Sequence, residues 1–305
     1  MSNFFKARIM PLFGIIALAF ALIACGNSTT GENDGGGGGG GGTWTWTAVA
    51  NSTFGTSPAY GTSNIYGIAY GDDRWVAVGA SGKMAYSSNG ASWTAVPDST
   101  FGTSTVRGIA YGGGTFVAVG ADGKMAASSD GITWTAVTNN TFGSTTIYAI
   151  AYGEDKFVAM GLRLGYSSDG ESWTAVPTSS STFGSNSNTF YGIAYGNNKF
   201  VAVSGEGIIV YSSDGKNWAT AANSTFGNYS NSSMEGIAYG NNRFVAVGYE
   251  AKAKMAYSTD GESWTVVENK NNTFPEYNSK IYGIAYGNNR FVAVGYNGQM
   301  AYANW

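Results

Sequence analysis

The chain has 305 residues, 46 of them glycine, with 15% aromatic but only 11% charged residues and a net charge of −3. It holds no histidine and a single cysteine, so no disulfide can form within it, and nucleophile–base pairs lose their usual members. Nothing in it supplies the basic stripe that a nucleic-acid partner requires, and no metal or cofactor site suggests itself.

Residues 1–24 open with Lys6 and Arg8 and continue into an apolar run from Ile9 to Ala24. That run is shorter than the roughly 20 residues a membrane span needs, and it reads as a secretory signal peptide. It ends in Leu22-Ile23-Ala24-Cys25-Gly26, which resembles the lipobox of bacterial lipoproteins. The resemblance implies that Cys25 is lipidated and becomes the mature N-terminus, anchoring the protein to a membrane through its acyl chains. Gly26 in the place where Asp would retain a lipoprotein at the inner membrane implies the outer membrane or cell surface. Residues 25–42, with eight consecutive glycines from Gly35, cannot bury a core and read as a flexible tether. Such a tether spans roughly 20–25 Å. Loss of Lys6 and Arg8 leaves fourteen of the sixteen basic residues against nineteen acidic ones, a mature net charge of −5.

Residues 43–305 are one unit repeated. The phrase GIAYG stands at Gly67–Gly71, Gly108–Gly112, Gly192–Gly196, Gly236–Gly240 and Gly283–Gly287, with AIAYG at Ala149–Gly153. Its isoleucines are spaced 41, 41, 43, 44 and 47 residues apart, a period of propeller blades. The third unit shows the plan. Ile147–Tyr152, Lys156–Met160, Leu164–Ser167 and Trp173–Val176 predict four short strands, punctuated by Gly, Asn and Asp. No segment sustains a helical period.

Between the third and fourth strands lies a recurring heptad: SSNGASW at Ser87, SSDGITW at Ser128, SSDGESW at Ser167, SSDGKNW at Ser212 and STDGESW at Ser258. Its carboxylate has two readings, a catalytic or metal-binding group used repeatedly, or architecture. Asn89 stands where the other copies have Asp130, Asp169, Asp214 and Asp260. A turn accepts either residue and a catalytic acid does not, so these five are assigned to structural turns. Asn-Gly and Asp-Gly predict type I′ hairpin turns, and the Trp offers apolar surface to the neighbouring blade. The heptad resembles the Asp-box of sialidase-like, or BNR-repeat, β-propellers, although here Gly follows Asp directly and the turn is one residue shorter. The resemblance implies a propeller with the heptads on the rim away from the usual ligand face.

Trp46–Gly55 copies Trp93–Gly102 and is a fourth strand lacking its first three, while Ile281–Tyr302 supplies three strands and stops. Together they complete one blade. The expected fold is therefore all-β: a six-bladed β-propeller of four-stranded blades, its ring closed by the N-terminal strand as outermost strand of the last blade, with no exposed edge.

Propeller ligands usually meet the face that carries the connections from the fourth strand to the next first strand. Each connection here holds a Thr-Phe couple, with Phe54, Phe101, Phe142, Phe183, Phe226 and Phe274 reading as wedges between blades. A specific site breaks symmetry. Two residues before the Ile of each first strand stand Tyr66, Arg107, Tyr148, Tyr191, Glu235 and Tyr282. Arg107 and Glu235, in blades two and five, lie opposite each other in a six-blade ring, a cation and an anion among tyrosines at the channel mouth. Such a mouth suits a sugar. The bland alternative is drift at half-exposed positions. A second break is the loop after the second strand, shortened at Gly161–Gly165 and lengthened at Gly248–Lys254, where its charges read as solvated.

Sialidases of the resembled family carry a Phe-Arg-Ile-Pro motif, an arginine triad and a Tyr/Glu nucleophile pair; the motif is absent, and Arg74, Arg243 and Arg290 occupy equivalent turn positions that look structural. Two flanking carboxylates for glycoside hydrolysis are not evident. The reading is a non-catalytic, monomeric binding propeller that recognises a glycan. The alternative is an envelope protein–protein scaffold, and a sialidase-like glycosidase is the least favoured.

Overall fold

The structure, a computed structural model, describes residues 18–19, 53–54, 63–177, 183, 188–222, 232–250, 252–267, 281–287, 290–295 and 300–304. These form six antiparallel sheets, each running in chain order from its innermost strand outward. Blade 1 comprises Ile65–Gly71, Arg74–Gly79, Met84–Ser87 and Thr94–Ala95, and blades 2 to 5 repeat this order. Blade 6 has three described strands, Ile281–Gly287, Arg290–Gly295 and Met300–Asn304. The innermost strands of successive blades lie side by side, and those of blades 2 to 6 line one axial cavity. The sheets are thus the blades of a six-bladed β-propeller. Leu18–Ala19 also pairs antiparallel with Gly67–Ile68, on the channel side of blade 1. The closing strand expected at Trp46–Gly55, and Cys25, Phe226 and Phe274, lie outside the described residues except for Thr53 and Phe54.

The sequence pattern explains how a blade is built. The first two strands are joined by two residues that both adopt left-handed backbone: Asp72-Asp73, Gly113-Gly114, Glu154-Asp155, Asn197-Asn198 and Asn241-Asn242. These are the type I′ turns of the fold, whose twist matches that of the flanking strands. The expectation that the heptads hold type I′ turns is corrected. There only the glycine has positive φ (Gly90 73°, Gly131 69°, Gly170 81°, Gly215 68°, Gly261 77°), while the preceding Asn or Asp keeps ordinary backbone and spends its side chain on local hydrogen bonds.

Among the described residues, five cores are each shared by two neighbouring blades, and a smaller one gathers Phe54, Ala77 and Ala85 at blade 1. One joins Val117, Val119 and Met125 of blade 2 to Phe142, Ile147, Phe157 and Trp173 of blade 3. The others repeat it at the seams 1–2, 3–4, 4–5 and 5–6. Phe54, Phe101, Phe142 and Phe183 are buried, which makes them wedges between blades. Trp134, Trp173 and Trp264 are buried against the neighbouring blade as expected. A smaller staple runs round the ring: Tyr111, Tyr152, Tyr195, Tyr239 and Tyr286 each lie over the glycine that ends the first strand of the preceding blade. A Cβ on Gly71, Gly112, Gly153, Gly196 or Gly240 would stand within about 2.2 Å of that ring, so glycine is required.

Candidate functional site at the axial mouth

In all six blades the first strand is irregular at one residue. Pairing runs from Ile65 with Gly79 to Gly67 with Val78, skipping Tyr66. The same skip falls on Arg107, Tyr148, Tyr191, Glu235 and Tyr282. The six symmetry-related candidates are therefore the extra residues of six β-bulges. A bulge re-aims a side chain and frees it from the pleat. The residues just before them, from Val106 to Ile281, are buried, whereas all six bulge residues are half-buried.

The bulge residues contact one another round the mouth. The Arg107 guanidinium carbon lies 4.8 Å from the centre of the Tyr66 ring and 5.6 Å from that of Tyr148, within cation–π range on both sides. Tyr148 meets Tyr191 edge to face, with centroids 5.1 Å apart at 84°. Tyr191 has its hydroxyl pKa raised by burial and then by the charge of Glu235, the bulge residue of the following blade. The Glu235 carboxylate accepts a hydrogen bond from the Ser233 hydroxyl at 2.8 Å, and the Tyr66 hydroxyl accepts one from Asn64 Nδ2 at 3.2 Å. The belt thus runs Tyr66, Arg107, Tyr148, Tyr191, Glu235, with a cationic side on blade 2 and an anionic side on blade 5. Tyr282, on blade 6, occupies the corresponding bulge.

Below the belt, Gly108, Gly192, Gly236 and Gly283 alternate with Ile109, Ile150, Ile193, Ile237 and Ile284 round a cavity of about 20 Å³. That is room for about one water. Glycine is needed because blades converge here: a Cβ on Gly236 would lie 3.3 Å from the Gly283 Cα.

The second break in symmetry is more than a solvated loop. In blade 5 the strands lengthen to Ser232–Gly240, Arg243–Glu250 and Lys252–Ser258, and pairing continues out to Glu250 with Lys252. The insertion extends the hairpin because backbone groups that would face water find partners in the ladder. It carries Tyr249 to the neighbourhood of Tyr191, whose titration feels it. Tyr249 was not among the sequence candidates; the only signal was the added length after Gly248. In blade 3 the equivalent connection shrinks to Leu162-Arg163, and Leu162 is exposed.

The heptads lie on the opposite face, against the first turn of the preceding blade. Asn197 donates to the Thr259 carbonyl, Lys199 to the Asp260 carbonyl and Arg74 to the Asp130 carbonyl. Arg74, Arg243 and Arg290 also stack over Tyr86, Tyr257 and Tyr302 within their own blades. Inside each heptad one side-chain oxygen closes the loop: Asp169 Oδ1 accepts from the Glu171 and Ser172 amides at 2.8 and 2.7 Å and from the buried Ser167 hydroxyl. Asn89 Oδ1 makes the same bonds to Ala91 and Ser92. The Ser172 amide is the largest influence on Asp169 and, with the other donors, outweighs desolvation, so its pKa falls to about 2. For Asp130, Asp214 and Asp260 desolvation opposes ionisation, yet the amide donors prevail and hold the pKa below the usual range. Among the described residues no group of three or more carboxylates or other donors is arranged to hold a metal.

No protein-family model matches the chain, and no curated protein matches it. Solved structures do. The extracellular domain of the hybrid two-component system BT4673 from B. thetaiotaomicron aligns at 15% identity with a TM-score of 0.61, over 83% of this chain and 34% of that one. YCF48 from Cyanidioschyzon merolae aligns at 15% identity and a TM-score of 0.55, over 78% and 81% of the two chains. YCF48 bound to D1 peptide aligns at 16% identity and a TM-score of 0.57, over 80% and 78%. At such identities the likeness concerns the β-propeller fold.

Proposed function

We propose that this chain is a non-catalytic binding propeller, held at a bacterial envelope membrane by a lipid on Cys25, that takes its ligand at the axial mouth. The observation that carries the reading is the belt of bulge residues. Six blades repeat almost verbatim, yet at the one position re-aimed by a bulge the residue changes to Arg107 and Glu235, and blade 5 alone is extended beside it. Of the six mouth residues Glu235 is the one carboxylate, whereas glycoside hydrolysis needs two flanking the bond. Aromatic rings interleaved with a cation and an anion suit a glycan, which stacks and hydrogen-bonds at once. A peptide or envelope protein is the second reading, favoured by the similar structure that holds a peptide.

A glycan array probed with the full-length chain in detergent, beside an Arg107→Ala/Glu235→Ala double variant, tests the site. Binding that the double variant loses supports a glycan at the mouth; binding that survives moves it elsewhere on the molecule. A blank array sinks the glycan reading and leaves the protein partner. Glycosidase activity abolished by Glu235→Ala would overturn the non-catalytic reading. The anchor is tested by Cys25→Ser: the expected result is loss of labelled palmitate incorporation and release from the membrane fraction. The outer membrane is the location proposed from Gly26, and sucrose-gradient separation of the two membranes tests it.

A further inference from the structure

We infer that the face of blade 1 turned toward blade 6 is a docking surface for an extended apolar segment, and that its occupant is this chain's own N-terminal apolar run, which adds a strand there at Leu18–Ala19. The inference is independent of the mouth, since neither Arg107 nor Glu235 takes part. It starts from a seam unlike the other five. Ile65 and Ile68 of blade 1 are half-buried and Trp75 is 37% exposed, whereas their counterparts in blade 2, Val106, Ile109 and Phe116, are at most 2% exposed. Tyr70 is 46% exposed, while the matching tyrosine of every other blade is half-buried. The blade 6 side agrees: Ala285 and Val292 are half-buried, and the corresponding alanine and valine of blades 1 to 5 are buried. Among the described residues no core joins blade 6 to blade 1, although one spans each of the other seams. An apolar face left open on both sides of one seam asks for an occupant.

One segment is seated there. Leu18 pairs with Ile68 and Ala19 with Gly67, antiparallel to the innermost strand of blade 1. The same two residues lie against the innermost strand of blade 6. The innermost strands pack on one another in succession from blade 1 to blade 6, but those of blades 6 and 1 do not. The cavity left on the axis is lined by blades 2 to 6 and not by blade 1, whose side the added strand covers. An innermost strand has a sheet neighbour on one side alone, so its remaining N–H and C=O groups need another partner. Strand addition supplies one, and main-chain hydrogen bonds give it affinity. The wall sets the chemistry of the occupant: below the mouth belt it is isoleucine, alanine and glycine, so the segment must be uncharged and small where it faces glycine. The N-terminal run meets both demands. Ile16–Leu22 carries no charge and alternates large apolar residues with Ala17, Ala19 and Ala21, which is the period of a strand with one small face. The face is therefore covered in the unprocessed chain and bared wherever the run is cleaved away.

The test uses the full-length chain in mild detergent, carrying Cys25→Ser so that only introduced thiols can pair; its intact mass confirms that residues 1–24 are retained. Opposed residues of an antiparallel pair have Cα atoms about 4.5–5.5 Å apart, within reach of a disulfide. Leu18→Cys/Ile68→Cys is expected to form one under mild oxidation. Leu18→Cys/Ile193→Cys, whose second thiol lies on blade 4 across the ring, is not. Digestion and mass spectrometry read both, in variants whose melting curves match the parent. A second measurement leaves every blade residue native. Leu18→Asp/Ala19→Pro puts a charge in the segment and removes an amide from the added strand. Hydrogen exchange of residues 65–71 is expected to quicken about ten-fold or more in this variant, with the equivalent residues 147–153 of blade 3 unchanged. Absence of the 18–68 disulfide, equal yields of the two disulfides, or exchange at 65–71 that the variant leaves unchanged each overturns the inference. Absence of both disulfides assigns the run to the detergent micelle instead. The glycan array reads the mouth alone, so the binding propeller stands or falls separately.

Discussion

Ser167 shows how much one side chain of the repeat can govern. Its buried hydroxyl donates to Asp169 Oδ1 at 2.8 Å and accepts from the amides of Asp169 and Gly170 at 3.3 and 2.8 Å. Ser167→Ala leaves an amide without its acceptor in a closed loop and is expected to lower stability by about 1–3 kcal/mol, read from a urea melt. Asp169→Asn is milder, because Asn89 already makes the same bonds in blade 1. What it removes is a charge whose pKa in the folded state is about 2, below the ordinary carboxylate range. A depressed pKa stabilises the fold above the unfolded value and stops doing so as pH falls through the folded one. The gap in melting temperature between wild type and Asp169→Asn is therefore widest at neutral pH and closes between about pH 4 and about pH 2. A gap that does not change with pH would show that the carboxylate charge contributes nothing there. The sequence pointed these Asp residues to a turn, because Asn89 replaces one of them. The type of turn was not: Asp-Gly suits both a two-residue hairpin and a side-chain-closed loop, and the Ser two residues earlier decides between them.

At the scale of a strand, two glycines of one phrase meet different demands. Gly112 ends the first strand of blade 2, where a Cβ would lie 2.0 Å from the Tyr152 ring. Gly112→Ala must displace that ring and is expected to cost about 1–3 kcal/mol. Gly108 begins the phrase, and its Cβ would meet Val119 Cγ2 at 3.3 Å and the Tyr148 carbonyl at 3.4 Å. Ala149 fills the matching position of blade 3, so Gly108→Ala is expected to change stability by less than about 1 kcal/mol. Comparable losses from the two would show that the ring staple is not what distinguishes them. The six mouth candidates were found by alignment of the repeats alone. That they are bulge residues was invisible, since a bulge is a mismatch between two strands and neither strand carries it by itself. The extended hairpin of blade 5 was visible only as extra length, because Glu250, Lys252 and Lys254 look like any solvated charges until the ladder pairs their backbone.

For the whole molecule the open question is closure. The third strand of blade 6 presents Tyr302, 66% exposed and stacked by Arg290 at 5.1 Å, where the other blades have a fourth strand. Residues 46–55 repeat residues 93–102 except at positions 50 and 51, and they are the sequence's own candidate for that edge. Deletion of residues 43–52 is expected to lower the melting temperature and to produce concentration-dependent association in sedimentation velocity, as an unpaired edge seeks another strand. An unchanged melt with a monomeric variant would overturn closure by this segment.

The repeat period, the strand punctuation and the Asn-for-Asp exchange were enough to determine a ring of six antiparallel blades, because each is a local pattern copied several times and local patterns are written residue by residue. The sequence also set apart Arg107 and Glu235 as departures from the copy. Only the tertiary structure decided what those departures meet. The bulges turn six residues, 41 to 47 positions apart in the chain, toward one mouth; Arg107 falls between two tyrosines with its Nε unpaired; and a hairpin from blade 5 brings up Tyr249. These are contacts between blades, fixed by how sheets converge on an axis, and no single repeat contains them.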